Sequence, residues 1–592
     1  YLPGIDDLPG DRHLRSSYQE RFLGLDGEYG RFFYPRANNS WRLNLKTSWQ
    51  ASAPNKFVLA LSKSLAFHQG FRESDPSEIS RDVSGYAWTF RDTWNRYYTV
   101  SEDQNSASVI WIHTFRPDRF HTLKLTRFFS SRHQDVMGKL YTEYDILGLQ
   151  YDENGQLIDS GPVVVTRPDP YFRVDDELDA SLFRDRFTRA WSLDSDWVHK
   201  WRRHDIRWGM HHQYETVQQF SLDASTISPT QPLGKSYDLF KAKPSTGALY
   251  VQDQIEQEGL VAKFGLRFDY WFPGRSVERL YEQRRYPYDS EMLQQEWRRD
   301  TRSLFGRRFK GELLPRISIS HPITERDHLF FSYGHFTQRP AYHYVYTKTG
   351  ATTGEEFPNI GNPNLKSETS VQYEIGAGHT FRENMSAKLT LFFKDIYNYP
   401  ISIPITFGDY SGQRSNFLMY FNRDYSRMRG IELEVRRRQG TRASWVGTYS
   451  YSVVKGKSSD PNQLALVRAL GGDARVETAL GEEYMSWNQP HKLTVSFDYR
   501  VPRGETGPRL PFGLHIPGGM SLNLYYLIQS GRAYTPQDIF GAETAVKYSR
   551  NGPPSQTLNG TLRQSFRLLD RRWEASLQGW NLFDQRNLLT VD

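Results

Sequence analysis

Strict alternation of apolar and polar residues is the sequence feature that most limits the fold of this chain. In residues 41–49, Trp-Arg-Leu-Asn-Leu-Lys-Thr-Ser-Trp, the large apolar side chains fall mostly on odd positions and the polar ones on even positions. A pleated strand sends successive side chains to opposite faces, so one face of this segment suits lipid and the other suits water. The alternation returns at 262–269, 431–436 and 492–499. Strands in soluble proteins are shorter, with about five to six residues.

Composition excludes a helical membrane protein. Aromatic residues make up 15% of the 592-residue chain, yet no stretch approaches the ~18 consecutive apolar residues that a membrane-spanning helix needs. A transmembrane barrel uses only every second residue on its lipid face, which leaves it and a soluble all-β protein as the candidates. The chain has no cysteine, and its net charge of +7 is spread along the sequence. We therefore expect no thiolate metal site, no disulfide and no nucleic-acid partner.

The connections favour the transmembrane alternative. Short polar turns alternate with long irregular segments, which is typical of outer-membrane barrels with short periplasmic turns and longer extracellular loops. The nine short turns predicted from the sequence lie at 50–56, 115–120, 192–200, 256–260, 321–328, 381–386, 437–443, 500–517 and 569–572. Nine hairpins predict about 18 strands, from the strand at Trp41 to the strand at Trp573. The predicted fold class is an all-β, antiparallel transmembrane β-barrel.

Local motifs resemble the barrel of TonB-dependent receptors, and most closely the Oar-like branch, whose full-length members begin with a carboxypeptidase-regulatory-like domain. Residues 361–369, Gly-Asn-Pro-Asn-Leu-Lys-Ser-Glu-Thr, are the most specific match. Further matches follow the family order at 250–255, 265–269, 315–318, 331–340, 429–434, 489–492, 530–536 and 581–584. The resemblance covers residues 205 to 592, and within it these phrases look like scaffold rather than catalytic signatures.

The resemblance implies a barrel of about 22 strands when complete, closed by an N-terminal plug domain and driven through an energy-coupling box. Residues 1–592 are accordingly interpreted as a single barrel domain that lacks the plug, the first strands and the last strand. In this numbering the strand at Trp41 is the fourth of the barrel and the strand at Trp573 is the twenty-first. The expected location is the bacterial outer membrane, as a multi-pass β-barrel.

Two clusters of polar residues could hold a metal, and both have a simpler interpretation. The first cluster consists of His204, Asp205, His211, His212 and Glu215. On one strand these side chains divide between two faces, which favours ordinary lumen and interface residues over a compact ligand set. The acidic run at 175–179 lacks the glycine and spacing of a calcium loop, which favours a solvated loop. No catalytic motif is present, so we expect no enzyme, no cofactor and no resident metal.

The resulting functional prediction is active import of a scarce or large substrate with inner-membrane energy. A structural or secretion-related barrel within a larger outer-membrane complex and a plugless porin remain as alternatives. Expected partners are outer-membrane lipid and lipopolysaccharide, a TonB-type energising complex acting through the absent N-terminal segment, and surface lipoproteins or other complex partners. Arg339, Tyr342, Tyr344 and Tyr346 could stack on or pair with an anionic metal chelate or a peptide, or serve as rim aromatics at the membrane interface.

Overall fold

The computed structural model describes thirteen segments of the chain, namely residues 39–69, 99–136, 139–144, 182–224, 237–282, 290–347, 359–382, 384–408, 414–437, 442–459, 482–509, 511–536 and 548–587. Strands dominate these segments. In chain order they are β1 (Asn39–Ser52), β2 (Asn55–Gln69), β3 (Thr99–Arg116), β4 (Arg119–Asp135), β5 (Leu182–Trp201), β6 (His204–Asp223), β7 (Tyr237–Ala242), β8 (Ser245–Gln257), β9 (Leu260–Phe272), β10 (Arg302–Leu304), β11 (Arg307–Pro322), β12 (Asp327–Gln338), β13 (Asn359–Ile360), β14 (Glu368–Arg382), β15 (Met385–Gly408), β16 (Arg414–Arg437), β17 (Ala443–Gly456), β18 (Glu483–Tyr484), β19 (His491–Arg500), β20 (Met520–Gln529), β21 (Ala533–Tyr534), β22 (Arg550–Asn551), β23 (Ser555–Leu568) and β24 (Arg571–Gly579).

Helices are few and short. They are α1 (Arg275–Glu282), α2 (Ser290–Asp300) and α3 (Tyr342–Tyr346), and single 3-10 turns lie at Tyr141–Glu143 and Pro511–Gly513. In the described part of the chain, none of the helices has the length and the apolar content needed to span a membrane.

One sheet contains 22 of the described strands, and its pairings are antiparallel except for that of β13 with β16, which is parallel. Eighteen of them are nine residues or longer, and each pairs antiparallel with the long strand before and after it in the chain. The short strands β7, β10, β13 and β18 pair with β6, β11, β16 and β17. Within the described segments, β1 pairs only with β2 and β24 only with β23. The predicted antiparallel sheet of about 18 long strands is confirmed.

Tight turns join the long strands in pairs at one end of the sheet. Eight of the nine predicted connections fall between neighbouring paired strands. Five are short turns, at 53–54, 117–118, 258–259, 323–326 and 569–570, and the connection at 501–519 is longer. The connections at 383–384 and 438–442 include residues outside the described segments. Two-residue hairpin turns need positive φ to match the twist of their strands. Leu569 and Asp570 meet this requirement with φ of 52° and 57°, and Glu258 and Gly259 with 50° and 82°.

The turn predicted at 192–200 is wrong, because these residues lie inside β5. The turn is at 202–203, where Arg202 has a φ of 53°. Ser192, Asp194 and Asp196 were interpreted as turn residues from their polarity, but they are the lumen-facing half of an alternating strand. They pair across the sheet with Gln213, His211 and Gly209 of β6.

The outer face of the sheet carries an apolar belt. The alternation predicts that nine apolar side chains of these strands face lipid, because their neighbours in sequence are polar or charged. Seven of them are between 39% and 69% exposed, namely Leu43, Leu45, Phe264, Leu266, Leu389, Leu391 and Leu433. The other two, Val495 and Phe497, are half-buried and pair on the same face with Gly447 and Trp445. The outward orientation predicted from the alternation is therefore confirmed.

Aromatic pairs border this belt at both ends, as in other outer-membrane barrels. Near the tight turns, the rings of Trp197 and Trp208 stack with their centroids 5.9 Å apart. The rings of Trp49 and Phe57 stack at the same centroid distance. Towards the opposite end, Tyr333 and Tyr373 lie 5.0 Å apart. The end with the tight turns corresponds to the periplasmic end that the sequence predicts.

Candidate functional site: the extracellular cap

A small folded cap lies at the extracellular end of the sheet, and it consists of α1, α2, α3 and the segment 359–367. Its core includes Trp297 and Tyr281, whose rings stack at a centroid distance of 4.6 Å and are 1% and 2% exposed. The wall contributes to the same core through Val217 of β6, Trp271 of β9 and Met419 of β16. The outward residues of β9 are even-numbered and Trp271 is odd-numbered, so the cap packs on the lumen side.

The family-like motif at 361–369 anchors the cap to the wall. Gly361 passes so close to α3 that a Cβ there would lie 2.6 Å from the backbone of Val345. The side-chain amide of Asn362 donates to the carbonyl of Tyr420 at 2.8 Å, and Lys310 Nζ donates to the carbonyl of Leu365 at 2.7 Å. Three segments that are distant in sequence are thus joined at one place, which agrees with a scaffold role for the motif.

The four predicted substrate-binding residues lie on or beside α3, but they differ in accessibility. Arg339 is exposed and donates to the hydroxyl of Tyr342 at 3.1 Å. Tyr344 is half-buried and packs on Tyr420, with ring centroids 4.6 Å apart. Tyr346 is buried, and its hydroxyl donates to the carbonyl of Pro273 at 2.7 Å. Substrate contact by these residues stays a prediction.

Tyr342 connects the cap to the lumen wall. Its hydroxyl donates to the carboxylate of Glu215 on β6, which also accepts from the side-chain amide of Gln213. Burial raises the pKa of Tyr342 above its ordinary value, and the Glu215 carboxylate acts in the same direction. The hydroxyl therefore stays protonated and keeps donating to Glu215.

A polar cavity of about 200 Å³ lies between the cap and the wall. Its lining includes three cationic side chains and two acidic ones, namely Arg267, Lys310, Arg339, Asp269 and Glu312. Arg267 Nε donates to Asp269 at 2.6 Å, and Thr337 donates to the other oxygen of the same carboxylate at 3.0 Å. Trp271 Nε1, also in the lining, has no hydrogen-bond partner in the described structure. The cavity can hold a small polar group that offers both donors and acceptors.

Lys310 is the most perturbed group of the cavity. It lies above the belt residues of β11, which begin at Leu313, and it is only 7% exposed. Burial lowers its pKa to about 7, although the nearby carboxylates of Asp300 and Glu312 favour the charged form. Its ammonium group lies 5.8 Å from the ring centre of Trp271 and 5.6 Å from that of Trp297. The sequence analysis missed this residue, since an alternating strand gives no sign of which lysine a cap will cover.

The pleat of β6 places the members of the histidine cluster on opposite faces of the sheet. His211 Nδ1 lies 2.5 Å from a carboxylate oxygen of Asp194, and His212 Nδ1 lies 2.9 Å from the hydroxyl of Tyr270. His204 pairs with Asp253 at 2.7 Å. No group of three His, Cys, Asp or Glu residues suited to a metal occurs in the described segments. The acidic run at 175–179 lies outside those segments.

Comparison with known proteins identifies the architecture. The family model described as TonB dependent receptor-like, beta-barrel, matches residues 7–582. No curated protein sequence matches the chain. Among solved structures, the outer membrane transporter YddB from Escherichia coli is similar with a TM-score of 0.56 and 11% identity, over 93% of this chain and 65% of that one.

Two other solved structures share the fold. A mutant of the ferric enterobactin receptor PfeA from Pseudomonas aeruginosa matches with a TM-score of 0.57 and 13% identity, over 92% of this chain and 64% of that one. The siderophore receptor PirA from Acinetobacter baumannii matches with a TM-score of 0.51 and 13% identity, over 95% and 69%. This chain thus spans less than two thirds of the length of YddB and PfeA.

These likenesses show the fold, and the family match extends over nearly the whole chain. The assignment to the Oar-like branch stays a prediction. The strand architecture, the apolar belt and the family match together show that this chain belongs to the TonB-dependent receptor family and forms an outer-membrane β-barrel.

Proposed function

We propose that the protein containing this chain imports a scarce or large substrate through the outer membrane, with energy supplied by a TonB-type complex of the inner membrane. The observation that carries this proposal is the folded cap on the lumen side of the extracellular end, within a barrel of the receptor family. A cap with its own buried core presents fixed side chains to the outside, as a binding receptor requires. No catalytic activity is part of the proposal.

We propose that the substrate first contacts the exposed edge of the cap around α3. Arg339 offers an exposed guanidinium group, and Tyr342 and Tyr344 offer half-buried aromatic rings beside it. Arginine and tyrosine together suit recognition of an anionic or aromatic ligand, because one pairs with charge and the other stacks. Tyr346 contributes indirectly, since its hydroxyl fixes α3 to Pro273.

Uptake that depends on energy is the decisive test. The gene for the full-length protein would be deleted in its host. The parent and deletion strains would then be compared for how far each depletes the individual components of the growth medium. The proposal expects at least one component whose uptake needs both the protein and an intact inner-membrane energising complex. Uptake that persists when that complex is removed would contradict it.

Conductance separates import from an open pore. A gated receptor should show no steady conductance in a planar bilayer, whereas a plugless porin should conduct at once. Stable co-purification with other outer-membrane chains, without any energy-dependent uptake, would instead favour a structural or secretion-related complex.

The contact residues can be tested once such a component is found. Arg339→Gln should lower its binding affinity by roughly tenfold, because the loss of one charged hydrogen bond costs about 1.5 kcal/mol. Arg326→Gln, at a periplasmic turn, is the matched control and should leave the affinity unchanged. An equal loss in both variants would exclude a specific role for Arg339.

A further inference from the structure

An unusual group of cations lies on the lipid-facing side of β16 and β17. Arg429 is exposed, and its cross-strand partner is Phe393, which is 47% exposed on the outer face. The next outward residue of β16 towards the membrane is Ile431, which is also exposed. Arg429 therefore lies at the extracellular edge of the apolar belt, with its side chain directed towards lipid.

Two lysines lie above this arginine. Lys455 of β17 is directly opposite Arg427, two residues beyond Arg429, and Lys457 follows the end of the same strand. Lys455 Nζ is 4.9 Å from the ring centre of Tyr484, and Lys457 Nζ is 5.7 Å from that of Tyr425. Cations over tyrosine rings at the edge of a lipid belt are typical of a membrane interface, where head groups begin.

The acidic residues of this surface are already engaged. Arg427 Nη1 donates to Glu482 at 2.8 Å, and Arg427 Nε lies 3.7 Å from Asp395. Within the described segments, no carboxylate forms an ion pair with Arg429, Lys455 or Lys457. Among the described residues, Arg429 and Lys455 are thus left without a protein counter-ion at the depth where hydrocarbon gives way to head groups, while Lys457 is attracted by the buried carboxylate of Asp424. Long Arg and Lys side chains at this depth reach the head groups, where anionic lipid attracts them.

We propose that Arg429, Lys455 and Lys457 form a binding site for the phosphate groups of lipid A, the membrane anchor of lipopolysaccharide. The outer leaflet that this end of the barrel faces contains lipid A, which carries phosphates at the base of its sugar head group. Arginine binds phosphate through two parallel hydrogen bonds, and the lysines add point charges around it. This site does not depend on the import function, so either proposal can fail without the other.

The test measures lipid binding to the purified full-length protein by native mass spectrometry. Three probes are compared, namely lipid A with both phosphates, the same lipid A after removal of its phosphates, and inorganic phosphate. The intact lipid A should bind, the dephosphorylated form should bind far more weakly, and inorganic phosphate should not displace the lipid. Equal binding of the two lipid forms would overturn the proposal.

Variants locate the site. Replacing Arg429, Lys455 and Lys457 together by Gln should weaken lipid A binding by about 100-fold, from about 1 kcal/mol for each cation near the membrane surface. The single variant Arg429→Gln should weaken it by about fivefold on the same basis. Heat-modifiable migration establishes that each variant is folded, and the single variant provides the test if the triple variant is not.

The matched control is Arg437→Gln. Arg437 lies at the periplasmic end of the same strand and pairs on the outer face with Trp445, so it faces the other leaflet. This variant should bind lipid A as the parent does. If Arg437→Gln weakens binding as much as Arg429→Gln, or if the folded Arg429→Gln protein binds like the parent, the proposed site is wrong.

Discussion

Two parts of the barrel wall differ sharply in how many of their residues are buried. The capped part extends from β6 to β16, and six of the last nine residues of β6 up to Asp223 are buried. The bare part consists of β19, β20, β23 and β24, and none of the residues in these four strands is buried. The same strand geometry thus serves two purposes. Among the described residues, one part carries a folded cap and the other carries none.

The bare part is still polar on its lumen side. A cavity of about 360 Å³ near the periplasmic end is lined by residues that include Arg442, Asp498, Arg500 and Arg563. These side chains belong to the lumen face, since Tyr499 and Leu562, their neighbours in sequence, both pair with Leu522 on the opposite face of the sheet. Among the described residues, the capped side of the lumen thus offers a folded surface as well as charge, whereas the bare side offers charge on a strand wall.

Removal of the largest buried side chain of the cap should give the clearest difference in stability between the capped part and the bare part. Trp297→Ala is expected to destabilise the cap by about 3–5 kcal/mol, because a fully buried aromatic ring is lost. Hydrogen exchange should rise in α1, α2 and 359–367 and stay unchanged in β19 to β24. The control Trp580→Ala removes a ring that is 72% exposed and should leave cap exchange as it is. Faster exchange throughout the barrel would mean that the cap is not a separate unit.

The outer belt is where the two parts should behave alike. Leu266 of β9 and Leu562 of β23 each lie seven residues from a periplasmic turn, and both are exposed on the outer face. Arginine at either position should cost about 2–4 kcal/mol of barrel stability, because a charge is placed in hydrocarbon. Urea-dependent refolding in lipid vesicles measures this cost. Thr448→Arg, on the lumen face, is the control, and a large loss there would contradict the assigned orientation.

Ion pairs should again distinguish the parts. In the capped part, Arg307 Nε lies 3.0 Å from both oxygens of Glu278, which is buried. Arg307→Ala leaves that carboxylate without its partner and should cost about 2 kcal/mol, since Arg307 itself is partly exposed. Beside the bare part, Arg442, which precedes β17, and Glu505, in the connection between β19 and β20, are 3.3 Å apart and solvent-accessible. Arg442→Ala should therefore cost below about 1 kcal/mol. Equal costs would remove the distinction.

The last expected effect concerns the pH dependence of the cap, which is small for each pH unit. Burial lowers the pKa of Lys310 to about 7 in the folded protein, whereas a free lysine titrates near 10.4. Between these values the unfolded cap binds the additional proton, so cap stability should rise with pH from about 7 to about 10.4 and level off below 7. The gain between pH 7 and pH 8 is limited to about 1.4 kcal/mol.

Hydrogen exchange of residues 359–367 at several pH values, corrected for intrinsic rates, measures this dependence. In Lys310→Met the rise in stability should disappear, because the titrating group is gone. A slope that persists in this variant would assign the pH dependence to another group.

The wall was predictable from the sequence because its pattern is local. Alternation over successive residues gave the strands and their outward residues, and the turn signals placed eight of nine hairpins. The exception at 192–200 shows the limit of this reasoning, because small polar side chains on a lumen face have the composition of a turn. The helices α1 and α2 lie between β9 and β10, and the alternation of strands gives no sign of them.

The cap was not predictable in the same way, because its contacts are not local. Arg339 and Tyr342 were selected as an exposed basic and aromatic group, but their link to Glu215 joins residues more than a hundred positions apart. Tyr346 has the same local appearance as Tyr342 and is buried instead. Neighbouring sequence cannot distinguish them, because what covers Tyr346 is Phe240 and the backbone of Pro273.

The cap core also has a consequence for the order of folding. Its members extend from Val217 to Met419 in the chain, so the core cannot assemble until the strands between them are in register. Closing such long loops is entropically costly and slow. During membrane insertion, Tyr281 and Trp297 must therefore remain exposed until β16 has joined the sheet. A chaperone that shields aromatic segments would be needed most during this interval. A folded cap would indicate that β16 has already joined the sheet.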